Sequence, residues 1–188
     1  MTAGRAPGQG SLGPVVERFD QRADAALEVV RGNPFIDGVF TTASRVGDFS
    51  LIWHAVSVTR GVAKRRPDQI VALAVALGAE SLIVNQGIKR IFRRARPTTS
   101  GDARFHVRRP STSAFPSGHA SSAAFAATIL GAWDGPRSRP LWWTLAAIVG
   151  TSRAYVRIHH ASDVVAGAVV GVGLGAIAVR VLRRAGMG

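Results

Sequence analysis

From Val164 to Val179 the chain runs for sixteen residues without one polar side chain, and Gly167, Gly171 and Gly175 recur inside it at every fourth position. A helix of that composition has two homes: the fully buried centre of a soluble protein, or lipid. The glycine row forms a face of small residues that lets membrane helices approach closely. Extended from about Asp163 to Leu182, the segment covers 20 residues, roughly 30 Å as a helix and so the thickness of a hydrocarbon core.

Four other apolar spans precede it. They run from about Val46 to Ala63, Gln69 to Ile88, His119 to Trp133 and Leu141 to Val156. The first is weak, interrupted by Asp48, His54 and Arg60. Mean hydropathy over the whole chain is only +0.17, and spans of about 15 residues suit a soluble core as well as a tilted crossing. The basic residues decide between the two. They collect between apolar segments, at Arg60 to Arg66, Lys89 to Arg109, Arg137 to Arg139 and Arg180 to Arg184, as in the interfacial loops of membrane proteins. From Pro14 to Arg31, Val15, Val16, Phe19, Ala23, Ala26, Leu27 and Val30 recur at helical spacing among charged residues, which predicts an amphipathic interfacial helix. The expected fold is all-α: an integral membrane helical bundle of about five transmembrane helices plus this amino-terminal amphipathic helix. Residues 1–13, rich in Gly and Pro and without the apolar core of a signal peptide, read as a disordered tail. Residues 14–188 read as one domain.

A net charge of +13 raises anionic partners. With no helix-turn-helix or aromatic stacking platform in view, nucleic acid is not an expected partner, and membrane lipids are. The absence of cysteine excludes disulfides and thiolate metal sites.

Three short stretches carry the chemistry. Lys89 precedes Arg96-Pro97, Pro116-Ser117-Gly118-His119 comes next, and Ser152-Arg153 leads to His159 and Asp163. Lys89, Arg96 and Arg153 bring positive charge, and guanidinium forks match phosphoryl oxygens. One histidine can attack phosphorus, a second can protonate the leaving oxygen, and a carboxylate can fix a tautomer. Pro-Ser-Gly ahead of a helix places backbone amides at an anion-binding end. Asp163, four residues beyond His159, falls within reach of the distal ring nitrogen. If the spans alternate sides, both catalytic loops share a membrane face. A lone histidine is more often structural, the reading given to His106 and His160. Arg90, Arg93, Arg94, Arg108, Arg109 and Arg157 read as solvated or headgroup-facing charge. Glu80, mid-span, is expected to face the bundle interior, and Asn85 to position Lys89.

The pattern Lys-x6-Arg-Pro, Pro-Ser-Gly-His, Ser-Arg-x5-His-x3-Asp resembles the signature of the type 2 phosphatidic acid phosphatase superfamily at every defining position. The resemblance spans roughly Asn85 to Gly167. It implies His159 as the nucleophile that becomes phosphohistidine, Asp163 as its orienting partner and His119 as general acid. Lys89, Arg96, Ser117, Gly118 and Arg153 would bind the phosphoryl oxygens, with no metal and no cofactor. The implied function is hydrolysis of a lipid phosphate monoester or diphosphate; high Arg, Ala, Gly and Val usage with little Lys suggests a GC-rich bacterial genome and favours a polyprenyl-linked, cell-envelope substrate in a bacterial inner membrane. Phosphatidic acid and phosphatidylglycerophosphate are the alternative substrates. A noncatalytic headgroup-binding protein is the alternative of another class. Vanadate-dependent haloperoxidases resemble the same residues, but they are larger and soluble.

Overall fold

The computed structural model describes residues 12–92, 94–98, 102–108 and 110–188. The expected tail, up to residue 11, lies outside them, as do Arg93 and Arg109. Among the described residues the regular structure is entirely helical. Helix α1 is Pro14–Glu28, α2 Pro34–Val46 and α3 Leu51–Ala63. Helix α4, Pro67–Leu82, continues through a π turn, Ile83–Ile88, and one α turn, Lys89–Ile91. Helix α5 is Gly118–Trp133, α6 Arg139–Tyr155 and α7 Ala161–Arg184. Proline opens α1, α2 and α4, where its missing N–H costs nothing. Asn33 caps α2 by accepting from the Phe35 and Ile36 amides at 3.0 and 3.3 Å.

The centre of the bundle is α5. Its residues are mostly small and apolar, with Ser121, Ser122 and Thr128 among them, and it packs against α4, α6 and α7, as a helix with no solvent face must. The glycine row of α7 is the seam. A Cβ on Gly167 would stand 2.3 Å from the Ser117 carbonyl oxygen, and one on Gly171 2.1 Å from that of Ser121. Backbone meets backbone there because no side chain intervenes.

Among the described residues two helices have the length and composition to cross a membrane: Pro67–Ile91, with 28% of its most apolar window buried, and Ala161–Arg184, with 17%. That exposure decides against a soluble core. Val165, Val169, Ile177 and Val181 on α7, and Val71, Val75 and Leu82 on α4, are each more than half exposed. A soluble protein does not leave such stripes wet, whereas lipid covers them.

The first expected span differs. Residues 46 to 63 are not one helix, because Phe49 and Ser50 adopt left-handed backbone (φ 52° and 58°) in the 3₁₀ turn Asp48–Ser50 and break the rod. The α1 helix also stops at Glu28, short of Arg31. Arg31 is buried, and it donates to the Tyr155 and Ala154 carbonyls at 2.9 and 3.1 Å. It thereby satisfies the open carboxyl end of α6.

Candidate active site

All eight residues singled out by spacing stand at one end of the bundle, where α4 and α6 end and α5 and α7 begin. The π turn takes an extra residue per hydrogen-bonded loop and so rotates the next residues about the helix axis. Lys89, directly after it, is buried. The Lys89 ammonium lies 3.5 Å from where a Gly118 Cβ would be, and Asn85 Oδ1 at 3.3 Å. Glycine at 118 therefore keeps open the space in front of the ammonium. Asn85 donates to Ser81 at 3.0 Å. Glu80 faces inward, accepting a short hydrogen bond from Ser121.

Ser117 is fully buried and caps α5, its hydroxyl oxygen accepting from the Ala120 amide at 3.4 Å. Its own amide donates to the Asp163 carbonyl at 2.9 Å. The Pro-Ser-Gly-His turn is thus fastened to the start of α7. Capping uses only the serine oxygen's acceptor side, so the hydroxyl hydrogen remains available to a phosphoryl oxygen.

His159 is buried between cation and carboxylate. Arg96 Nη1 lies 3.1 Å from His159 Nε2 and donates to the Ile158 carbonyl at 3.0 Å. A guanidinium can only donate, so Nε2 presents its lone pair and the ring hydrogen sits on Nδ1. That fixes the tautomer, with Nε2 as the unprotonated nitrogen. On the other side Asp163 Oδ2 stands 3.6 Å from Nδ1, beyond a hydrogen bond, and Nδ1 has no hydrogen-bond partner. The same oxygen accepts from the His160 amide at 2.8 Å, so Asp163 divides itself between capping α7 and facing the ring. Burial, reinforced by Arg96 and Arg153 against Asp163, lowers His159 to about 3. The imidazole is neutral at neutral pH.

Arg153 is fully buried; its Nη1 donates to Ser44 Oγ, while Nε and Nη2 have no partner. Buried donors without acceptors are costly unless a ligand meets them. Its charge reaches Lys89, His119 and His159. His119 Nε2 lies 3.2 Å from the Ser44 carbonyl and 3.1 Å from Asp48 Oδ1.

Two arginines set aside as solvated charge are not. Arg94 is nearly buried, donating to Asp163 Oδ1 at 2.5 Å, to Asp20 at 2.6 Å and to Ser162 at 2.7 Å. Asp20, on α1, also accepts from the Ser162 amide at 2.8 Å. Arg157 pairs with Asp24, Glu28 and Asp102. Sequence gives no local sign of the Asp20–Arg94–Asp163 chain, since its members are far apart along the chain. His160 caps α7, the structural role expected of it. A cavity of about 410 Å³ between α1 and the catalytic loop borders Asp20, Arg94, Arg157 and His159. Lys89, Arg96, His119 and Arg153 are not among its lining residues.

Apolar helices exposed as they would be to lipid, together with a neutral histidine facing clustered cations, define a membrane phosphohydrolase. The model of the PAP2 superfamily matches residues 69–187, and the chain belongs to that superfamily. It is 33% identical over 163 residues to the decaprenylphosphoryl-5-phosphoribose phosphatase of Mycobacterium tuberculosis, covering 83% of this chain and 89% of that one. It is 35% identical over 154 residues to the enzyme of that name from Mycolicibacterium smegmatis, covering 77% and 80%. The fold matches two solved structures. The transmembrane PAP2 type phosphatidylglycerolphosphate phosphatase of Bacillus subtilis gives a TM-score of 0.69 at 22% identity, over 90% of this chain and 87% of that one. Aquifex aeolicus LpxE gives 0.70 at 19%, over 92% and 99%. The chain is a lipid phosphatase of this superfamily.

Proposed function

We propose that residues 14–188 form one membrane domain of five crossings, in a bacterial inner membrane, that removes phosphate from a polyprenyl-linked lipid for the cell envelope. His159 Nε2 attacks phosphorus as the bond to the leaving oxygen breaks, and His119 gives that oxygen its proton. Water then attacks phosphorus, the P–N bond to His159 breaks, and the water's proton returns to His119. Lys89, Arg96, Ser117, Gly118 and Arg153 bind the phosphoryl oxygens, and Asp163 orients the nucleophile. These charges are fixed in place before reaction, where they stabilise the transition state most.

One observation carries the reading: the His159 Nε2 lone pair accepts from Arg96, a contact that a phosphoryl group can take over, beside a second buried arginine with two unpartnered nitrogens. The relatives' activity on a decaprenyl-linked phosphosugar supports the polyprenyl substrate. The test is phosphate release by the detergent-purified enzyme from polyprenyl phosphate, polyprenyl diphosphate, a polyprenyl-phosphosugar phosphate, phosphatidic acid and phosphatidylglycerophosphate. We expect polyprenyl-linked substrates to lead, release to persist in chelator and to be inhibited by vanadate, and His159→Ala to abolish it. Near-normal turnover by His159→Ala would remove the nucleophile assignment.

A further inference from the structure

Asp48 lies outside all three catalytic stretches, in the 3₁₀ turn that breaks the first apolar span. Three observations bring that turn to the general acid. His119 Nε2 is 3.1 Å from Asp48 Oδ1. The same nitrogen is 3.2 Å from the Ser44 carbonyl, so both neighbours are acceptors. Gly47, beside Asp48, has no room for a side chain: a Cβ would stand 2.6 Å from His119 Cδ2. The turn is also held in left-handed backbone at Phe49 and Ser50, a conformation that costs free energy and persists where surrounding structure enforces it.

Two acceptors on one ring nitrogen require that nitrogen to carry hydrogen. Nδ1 then remains for the leaving group. To act as an acid the ring must hold a second proton on Nδ1 against the charge of Arg153, which opposes an imidazolium. A carboxylate against the opposite edge offsets that repulsion, as the aspartate of a catalytic triad stabilises its histidinium. We propose that Asp48 is the positioning residue of the acid: it keeps hydrogen on His119 Nε2, leaves Nδ1 for the leaving oxygen, and balances the charge while Nδ1 is protonated. In the first step the P–N bond to His159 forms, the P–O bond breaks, and the Nδ1 proton moves to the departing oxygen. In the second, water forms the new P–O bond, the P–N bond breaks, and the water proton returns to Nδ1. Each histidine then has its own carboxylate, Asp163 for the nucleophile and Asp48 for the acid. The assignment rests on the reading of His119 as general acid.

A poor leaving group needs an acid and a good one does not. Single-turnover release of the leaving group is therefore compared for a prenyl phosphate and for an aryl phosphate with an acidic phenol, in wild type, Asp48→Asn, His119→Ala and the double variant. We expect Asp48→Asn to slow prenyl phosphate cleavage about 10²-fold and aryl phosphate cleavage less than about threefold, and to add nothing in the His119→Ala background. Equal slowing on both substrates, or additivity with His119→Ala, overturns the proposal. Should the variants fail to fold, ¹⁵N-histidine spectra of the wild type decide: His119 protonated at Nε2 in the resting enzyme supports it, and at Nδ1 overturns it. Wild type that cleaves neither substrate sinks the phosphatase reading instead, while the tautomer still answers for Asp48.

Discussion

At the scale of single residues, His159 illustrates how burial and charge act together. Its folded value, lowered to about 3 by burial and by Arg96 and Arg153, lies below that of a histidine in the unfolded chain, about 6.5. Between those two values the unfolded chain binds a proton that the native protein refuses, so stability falls as pH falls through that window. Above it the ring is neutral in both states and contributes no pH dependence. Thermal unfolding in detergent should therefore show a steeper loss from pH 6.5 to pH 4 for wild type than for His159→Asn, which lacks the titrating ring. Parallel profiles would place the buried, neutral imidazole in doubt. Spacing revealed residues that sit in fixed motifs, whether their partners are local, as the helix start is for Ser117, or distant, as Ser44 is for Arg153. Arg94, Asp20 and Asp48 carried no such sign. Each acquires its partner only when distant helices meet, and in a chain with 24 basic residues nothing local separates a structural arginine from a solvated one.

At the scale of elements, the apolar periods located α4 to α7 within a few residues, because long runs leave few alternatives. The α2 helix was not legible in that way: Asn33-Pro34 reads as the end of one helix, and it is equally the cap and first residue of the next. The amphipathic α1 was legible, but not its attachment to the site. Asp20 holds Arg94, and Arg94 holds the Asp163 oxygen that does not face His159. Arg94→Ala, or Asp20→Ala, should release that carboxylate and lower kcat on the order of 10²-fold, the scale of a small misplacement at a reacting centre. KM should change little, since neither side chain belongs to the cation cluster. A rise in KM at constant kcat would assign the pair to substrate binding instead. The α5–α7 seam supplies a second test with an internal control. Gly171→Ala puts a methyl group into the Ser121 carbonyl and should cost about 1–3 kcal/mol, the range for overpacking. On the same helix, a Cβ on Gly173 meets nothing within 4 Å, and Gly173→Ala should be neutral or slightly stabilising, as alanine is the better helix former. Equal thermal shifts for the two variants would refute close packing through the glycine row.

At the scale of the whole molecule, the site stands at the end of helices whose exposed flanks are apolar, and this arrangement bears on the substrate. A lipid phosphate can leave its chain among or beside the helices and present only its headgroup to the cations, whereas a soluble ester must be positioned by the phosphoryl contacts alone. Binding energy from the remote chain can then be used to hold phosphorus in line with His159 Nε2, which raises the rate as well as the affinity. The difference should appear in kcat/KM when polyprenyl phosphate, phosphatidic acid and a short water-soluble phosphate ester are compared at matched surface concentration in mixed micelles. Both lipids should exceed the soluble ester, with the polyprenyl chain ahead. Truncating that chain stepwise should lower kcat along with affinity, because each lost isoprene unit removes part of the positioning. A soluble ester hydrolysed as efficiently as the lipids would mean that the apolar flanks anchor the enzyme without contributing to recognition.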